Sequence, residues 1–173
     1  MTVEIGRALA PFGDALARLD TIPGINRRTA EVLVAEIGVD MTAFPTAGHL
    51  ASWAGLCPGN NESAGRHRPG RTRRGDPWLR TALTEAALAA ARHSTSAFAA
   101  RYRRTLRHRG HKKAIIAVAQ ALLTTAYYVL VRQTTYVELG TDYFDRRHTE
   151  RVRRRAIQTL ELQGYRVTLE AAA

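Results

Sequence analysis

The sequence lacks the residues that hold a small domain together by cross-links. Cys57 is its only cysteine, so neither an internal disulfide nor a cysteine-rich zinc site is available, and the chain suits a reducing compartment. Its start, MTVEIGRALAPFGD, has neither the basic stretch nor the apolar run of a secretory signal. No internal repeat is visible. Lysine is almost absent: of 26 cationic residues only Lys112 and Lys113 are lysines. Arginine supplies the rest, and it is the better fork for phosphate oxygens and planar bases, although a GC-biased genome enriches it as well. What remains, 173 residues with 45% hydrophobic and 24% charged, is the composition of a folded chain long enough for one or two domains.

Acidic residues are scarce in particular places. Residues 1–50 carry four cations and six acids, whereas residues 51–173 carry 22 cations and nine acids. The excess lies in three clusters, Arg66 to Arg80, Arg101 to Lys113 with no acid at all, and Arg146 to Arg155. Such clustering favours a polyanionic partner over a solvated surface, nucleic acid first and anionic lipid a distant second.

The apolar pattern is that of helices. Ile5, Leu9, Phe12, Leu16 and Leu19 recur at helical spacing, with Pro11 as a kink point. Ile22-Pro-Gly-Ile25 then precedes a helix that Gly38 closes, the pattern of a helix-hairpin-helix. In that motif a tight turn leaves backbone N–H groups open to a phosphate, which makes Pro23 and Gly24 candidate nucleic-acid contacts. A purely structural packing turn produces the same pattern.

Thr46 to Trp53 has helical spacing, and Gly55 to Asp76 reads as a long loop rich in Gly and Arg. Asp76-Pro77 is a helix N-cap and first-turn pair for a helix running to about Arg92, and Ser94 is placed to cap the next helix. Ala114 to Val131 has no formal charge, long enough to raise a membrane span. Gln120, Thr124, Thr125, Tyr127 and Tyr128 interrupt it and cations flank both ends, so a buried central helix explains it better. His148 to Leu162 reads as an Arg-rich helix, and Tyr165 to Leu169 alternates like a short strand. The expected class is mainly α, with a helix-hairpin-helix, a long Arg/Gly-rich loop and a short C-terminal strand.

Ser63 is the candidate nucleophile. A serine attacking a phosphodiester needs cations on the non-bridging oxygens, and Arg66, Arg68, Arg71, Arg73 and Arg74 follow it, with Asn61 just before. A loop serine bonded to its own backbone is the plainer reading. Arg101, Arg103, Arg104, Arg107, Lys112 and Lys113 form a second candidate phosphate surface. No metal site is expected: Asp76/Glu85 and Asp142/Asp145 suit capping and surface ion pairing, and His108-x-x-His111 lies among cations.

Several blocks together carry a family resemblance: Leu19-Asp-Thr-Ile-Pro-Gly-Ile, Ala35-Glu-Ile-Gly, Phe44-Pro-Thr, Leu50-Ala-Ser-Trp-Ala-Gly-Leu-Cys-Pro-Gly-Asn-Asn-Glu-Ser-Ala-Gly, Arg73-Arg-Gly-Asp-Pro-Trp-Leu-Arg and Leu139-Gly-Thr-Asp-Tyr-Phe-Asp-Arg-Arg. In this order they resemble the C-terminal domain of the insertion-sequence 110/116/902 family transposases. The resemblance implies a recombinase of a mobile element that acts on DNA with a structured guide RNA, as a homo-oligomer, in the cytoplasm at the nucleoid and without a membrane. It implies that Ser63 is the serine that links to DNA, and that Mg²⁺ is held by a RuvC-like domain that lies N-terminal in the family and is not found in this sequence; no cofactor is expected on this chain. Residues 1–18 then resemble the end of a helical connector, 19–145 the transposase C-terminal domain and 146–173 an Arg-rich tail. Two functions follow as expectations: a serine-bearing recombinase part inactive by itself, or a catalytically silent nucleic-acid-binding module.

Overall fold

Helix boundaries follow the capping chemistry. The structure, a computed structural model, describes residues 7–57, 62–63, 65–67, 70, 72, 74–93 and 95–169. Pro11 interrupts the first apolar segment with a 3-10 turn, Ala10–Phe12, after which α1 runs over Gly13–Asp20. Ile25 N–H donates to the Ile22 carbonyl at 2.9 Å, with Pro23 and Gly24 (φ 90°) between them, the residue order of a type II turn. Asn26 caps α2 (Arg27–Ile37) by accepting from Thr29 N–H at 2.9 Å, and Gly38 ends it with φ 72°. A second 3-10 turn, Met41–Ala43, leads to α3 (Ala47–Trp53), capped by Thr46.

The expected helix after Asp76 is α4 (Pro77–Arg92), and Asp76 Oδ1 accepts from Leu79 N–H at 2.6 Å. The cap of α5 (Ala97–Arg109) is Ser96 and not Ser94, which lies outside the described residues. Ser96 is fully buried; its Oγ accepts from Ala99 N–H at 3.1 Å and lies 3.1 and 3.3 Å from the His93 and Ala90 carbonyls. Gly110, with φ 77°, turns the chain directly into α6 (His111–Arg132). After a connection through Gly140, α7 occupies Tyr143–Leu162, beginning earlier than the periodicity suggested.

Helix α6 is the central element, packed against α1, α3, α4 and α5, while α2 packs on α1 and α4. Its length and composition would suffice to cross a membrane. Here Ile115, Val118, Leu122, Leu123, Ala126 and Leu130 are buried in the common core with Leu16, Leu19, Leu33, Leu50, Leu79 and Leu83. Each buried leucine contributes about 2 kcal/mol. Ala86, Ala87 and Ala90 on α4 and Ala114 and Ala119 on α6 are also buried, and such short side chains admit close helix approach.

The connection after α6 is tied down. Glu138 Oε1 accepts from Ala97 N–H (2.9 Å) and Gly140 N–H (3.1 Å), and Tyr136 N–H donates to Thr21 Oγ1 at 2.9 Å. The Tyr136 ring stacks on Phe98 with centroids 5.7 Å apart, and burial, with Glu138 nearby, pushes its hydroxyl well above the ordinary tyrosine range. Helix α7 meets the rest of the molecule mainly through α5 and is exposed along nearly its whole length. Asp142 at its start pairs with Arg146, which holds the carboxyl below its ordinary range.

A further sequence expectation fails. Tyr165 to Leu169 is not a strand. Tyr165 N–H still bonds back to the Leu160 carbonyl of α7 at 3.1 Å, and alternation without a neighbouring ladder makes no sheet. Among the described residues the one strand pair is short: β1 (Glu62–Ser63) runs antiparallel to β2 (Arg66–His67). The class is mainly α.

Candidate nucleic-acid interface

The Pro-Gly hairpin is built by its apolar flanks. Ile22 and Ile25 are buried, while Pro23 and Gly24 are half-buried between them. What Gly24 approaches is helix α4. A Cβ placed on it would lie 2.7 Å from Ala90 Cβ, and nearer still to the Ala86 carbonyl oxygen. The sequence assigned this glycine to the approach of a phosphate; the structure gives it a prior duty in helix packing, because α4 fills the side where a Cβ would project.

The serine segment hangs from the other end of α4, about 15 Å along the axis from Ala86–Ala90. Its neck is closed by backbone and by one guanidinium. A Cβ on Gly75 would overlap the backbone of Ala54 and Gly55, so the outgoing and returning limbs touch there. Arg80 Nη1 donates to the Gly55 carbonyl and Nη2 to Thr72 Oγ1, both at 3.0 Å. On the outgoing limb Leu56 is buried, and Gln120 of α6 approaches Cys57 Sγ at 3.7 Å. Beyond the neck, Ser63 is paired directly with Arg66 in the β1–β2 ladder, with Gly65 (φ 73°) in the turn between them. Arg66 and Arg74 are exposed; Asn61, Arg68, Arg71 and Arg73 lie outside the described residues, and Ser63 is described through its backbone.

The second candidate surface is a corner. Gly110 brings the C-terminal turn of α5, with Arg107, His108 and Arg109, directly against the first turn of α6, with Lys112 and Lys113. Arg107, Lys112 and Lys113 are exposed. Arg101, Arg103 and Arg104 each engage other groups of the chain, and burial lowers the pKa of Arg101. Tyr102 Oη and His111 Nδ1 lie 2.8 Å apart and brace the corner. Cations at a helix C-terminus are favoured by its dipole, whereas Lys112 and Lys113 sit at a helix N-terminus against theirs.

Among the described residues no group of three His, Cys, Asp or Glu side chains converges. A magnesium site of the usual multi-carboxylate kind is therefore not built from them.

Comparison with known proteins joins these pieces. The family model described as Transposase IS116/IS110/IS902 family matches residues 16–103, just over half of the chain. The chain belongs to that transposase family.

Relatives of the family agree. An IS110 insertion-element protein of 43.6 kDa from Streptomyces coelicolor is 34% identical over 122 residues, covering 68% of this chain and 29% of the relative. The transposase for insertion sequence element IS1111A of Coxiella burnetii is 29% identical over 75% of this chain and 36% of its own length. A pilin gene-inverting protein of Moraxella bovis is 35% identical over 65% of this chain and 35% of its own. The chain thus spans about a third of the curated relatives it matches. The transposase match takes in the hairpin, the serine segment and its neck; all of α6 and α7 lie beyond it.

Sequence reasoning missed the neck. By sequence Arg80 belongs to the first cationic cluster, yet its guanidinium bonds within the chain, to Gly55 and Thr72. Arg74-Gly-Asp-Pro-Trp-Leu-Arg80 held a legible signal: Gly75 directly before a helix cap is where a loop limb can press against another backbone.

Proposed function

We propose that this chain is the DNA-binding, serine-bearing part of a transposase that acts in DNA transposition or recombination. The observation that carries the reading is Ser63 in direct register with Arg66 inside a family-matched segment whose neck is locked to α4. A nucleophile must be presented at fixed geometry, and a short ladder on a closed neck supplies that better than an open loop.

In the proposed chemistry the Ser63 hydroxyl attacks a DNA phosphorus. A serine–phosphate ester forms, one phosphorus–oxygen bond to deoxyribose breaks, and the serine proton balances the released alkoxide. Arg66 and Arg74, with Arg68, Arg71 and Arg73, bear on the non-bridging oxygens, where charge builds up. The Arg107, Lys112 and Lys113 corner holds duplex backbone. Family resemblance supplies the remaining elements of the reading: a RuvC-like partner domain holding Mg²⁺, a structured guide RNA and a homo-oligomer, working in the cytoplasm on nucleoid DNA.

The test is Ser63→Ala, compared with the parent chain when a RuvC-like domain, Mg²⁺ and guide RNA are supplied. Strand exchange and any covalent protein–DNA species are expected to disappear, while thermal stability and DNA binding stay unchanged, since removing one loop hydroxyl costs well under ~1 kcal/mol. Exchange that survives the substitution overturns the nucleophile and leaves the serine segment as a phosphate clamp.

A further inference from the structure

Trp78 is the one large side chain on α4 whose position the core does not explain. It is 73% exposed at the first turn of a helix whose Leu79 and Leu83 are fully buried. The other tryptophan, Trp53, packs on Phe44 with ring centroids 5.5 Å apart. Among the described residues no ring or hydrogen-bond partner is found for Trp78. The indole borders a cavity of about 330 Å³ between α2 and the chain around Leu9, lined also by Val32, Ala35, Arg28 and Glu36.

We propose that this cavity takes one unpaired base of a bound nucleic-acid strand, stacked on the Trp78 indole. The inference rests on the nucleic-acid-binding reading above and adds to it a base contact that the phosphate surfaces do not provide.

Three observations select this occupant. The first is size: one turn of helix, about 10 Å across and 5.4 Å high, fills more than the available volume, whereas a flat ring system does not. The second is charge. Arg28 stands at the cavity with its side chain 68% exposed, but Glu31 and Glu36 line it too. Those carboxyls disfavour a phosphate inside, yet they accept from the amino groups of base edges. Burial and the neighbouring Asp76 raise the pKa of Glu36. The third is position. The returning limb of the serine segment ends at exposed Arg74 and at Gly75, three residues before Trp78. A strand with a phosphate on Arg74 arrives beside the indole. Exposed aromatics beside cationic tracks are how proteins hold unpaired strands, and a stacked base is sequence-tolerant because every base has a π face.

The chain has two tryptophans, so Trp53→Phe leaves Trp78 as the sole indole reporter. That variant is titrated with mixed-sequence single-stranded DNA, with the same RNA, and with blunt duplex, while anisotropy of a labelled oligonucleotide reports binding independently. The expected result is quenching of Trp78 by one or both single strands, saturating together with the anisotropy, and no quenching by duplex; the DNA and RNA arms identify which strand supplies the base. In the parent background, Trp78→Ala is expected to weaken single-strand binding about tenfold with the melting temperature unchanged, Trp78→Phe to restore most of it, and Trp78→Leu to restore little. Binding by anisotropy without quenching overturns the stacking role alone. Full affinity in Trp78→Leu also overturns it and marks the cavity as an apolar contact for a protein segment. No oligonucleotide binding in any arm overturns the nucleic-acid reading itself.

Discussion

A side chain at position 24 has nowhere to go. Gly24 combines φ 90° with the backbone of α4 pressed against the space a Cβ would occupy. Gly24→Val therefore adds overpacking, about 1–3 kcal/mol, to left-handed strain of about 1–3 kcal/mol. A loss of about 3 kcal/mol or more is expected, which for a chain of this size lowers the melting temperature by roughly 10 °C. Gly24→Ala is expected to cost nearly as much, since the clash begins at Cβ. Chemical denaturation of both variants checks this, and DNA binding measured per folded molecule shows whether the hairpin also serves a phosphate. If both variants melt with the parent, the packing account is wrong. Sequence pattern located the turn and the Gly38 stop, because each is a local backbone requirement written in one or two residues. It did not show that Gly24 packs on α4, because α4 lies some sixty residues further on, and nothing in a hairpin motif says what packs beneath it.

Loops and helices meet at α4, which makes its first turns the foundation of the serine segment. Asp76 caps the helix, Gly75 presses on Ala54 and Gly55, and Arg80 bonds both limbs of the neck. Removing the guanidinium leaves a buried carbonyl and a hydroxyl short of a charged donor, a loss of about 2 kcal/mol. Arg80→Ala is expected to lower stability by that amount and to speed amide exchange at Gly55 through Cys57, leaving the α6 core protected. Arg80→Lys restores little, because an ammonium is a point donor and the neck needs the two-pronged fork. Exchange at Gly55 through Cys57 identical to the parent in Arg80→Ala would show that Gly75 alone closes the neck. The elements themselves were largely legible: α2, α3, α4, α5 and α6 lie where caps and 3.6-residue spacing put them. Ser96 displaced Ser94 as a cap because its hydroxyl meets two carbonyls as well as Ala99 N–H, and the Tyr165 to Leu169 alternation found no ladder to join. The missing ladder is not a local fact and could not be read from periodicity; the choice between two serines two residues apart is local, but it turns on backbone geometry that periodicity does not resolve.

Charge, taken over the whole molecule, is distributed by duty. Buried or internally engaged arginines, Arg80 and Arg101 above all, stabilise the fold, while Arg107, Lys112 and Lys113 at the α5–α6 corner are exposed and face no acid on either helix terminus. The net charge of +11 is thus available to a polyanion mostly through surface groups whose removal leaves packing intact. Each phosphate contact contributes about −0.9 to the slope of log affinity against log salt on duplex DNA. Replacing Arg107, Lys112 and Lys113 together with glutamine is accordingly expected to flatten that slope by as much as about 2.7. It should also weaken binding alike on unrelated sequences, because backbone contacts carry no base information, and leave the melting temperature within about 1 °C of the parent. Titrations at several salt concentrations, on two duplexes of different sequence, measure both effects at once. A parent chain whose affinity is flat with salt would remove the electrostatic basis of binding altogether. A slope that survives the triple replacement would move the duplex contact away from this corner, to the six arginines of α7.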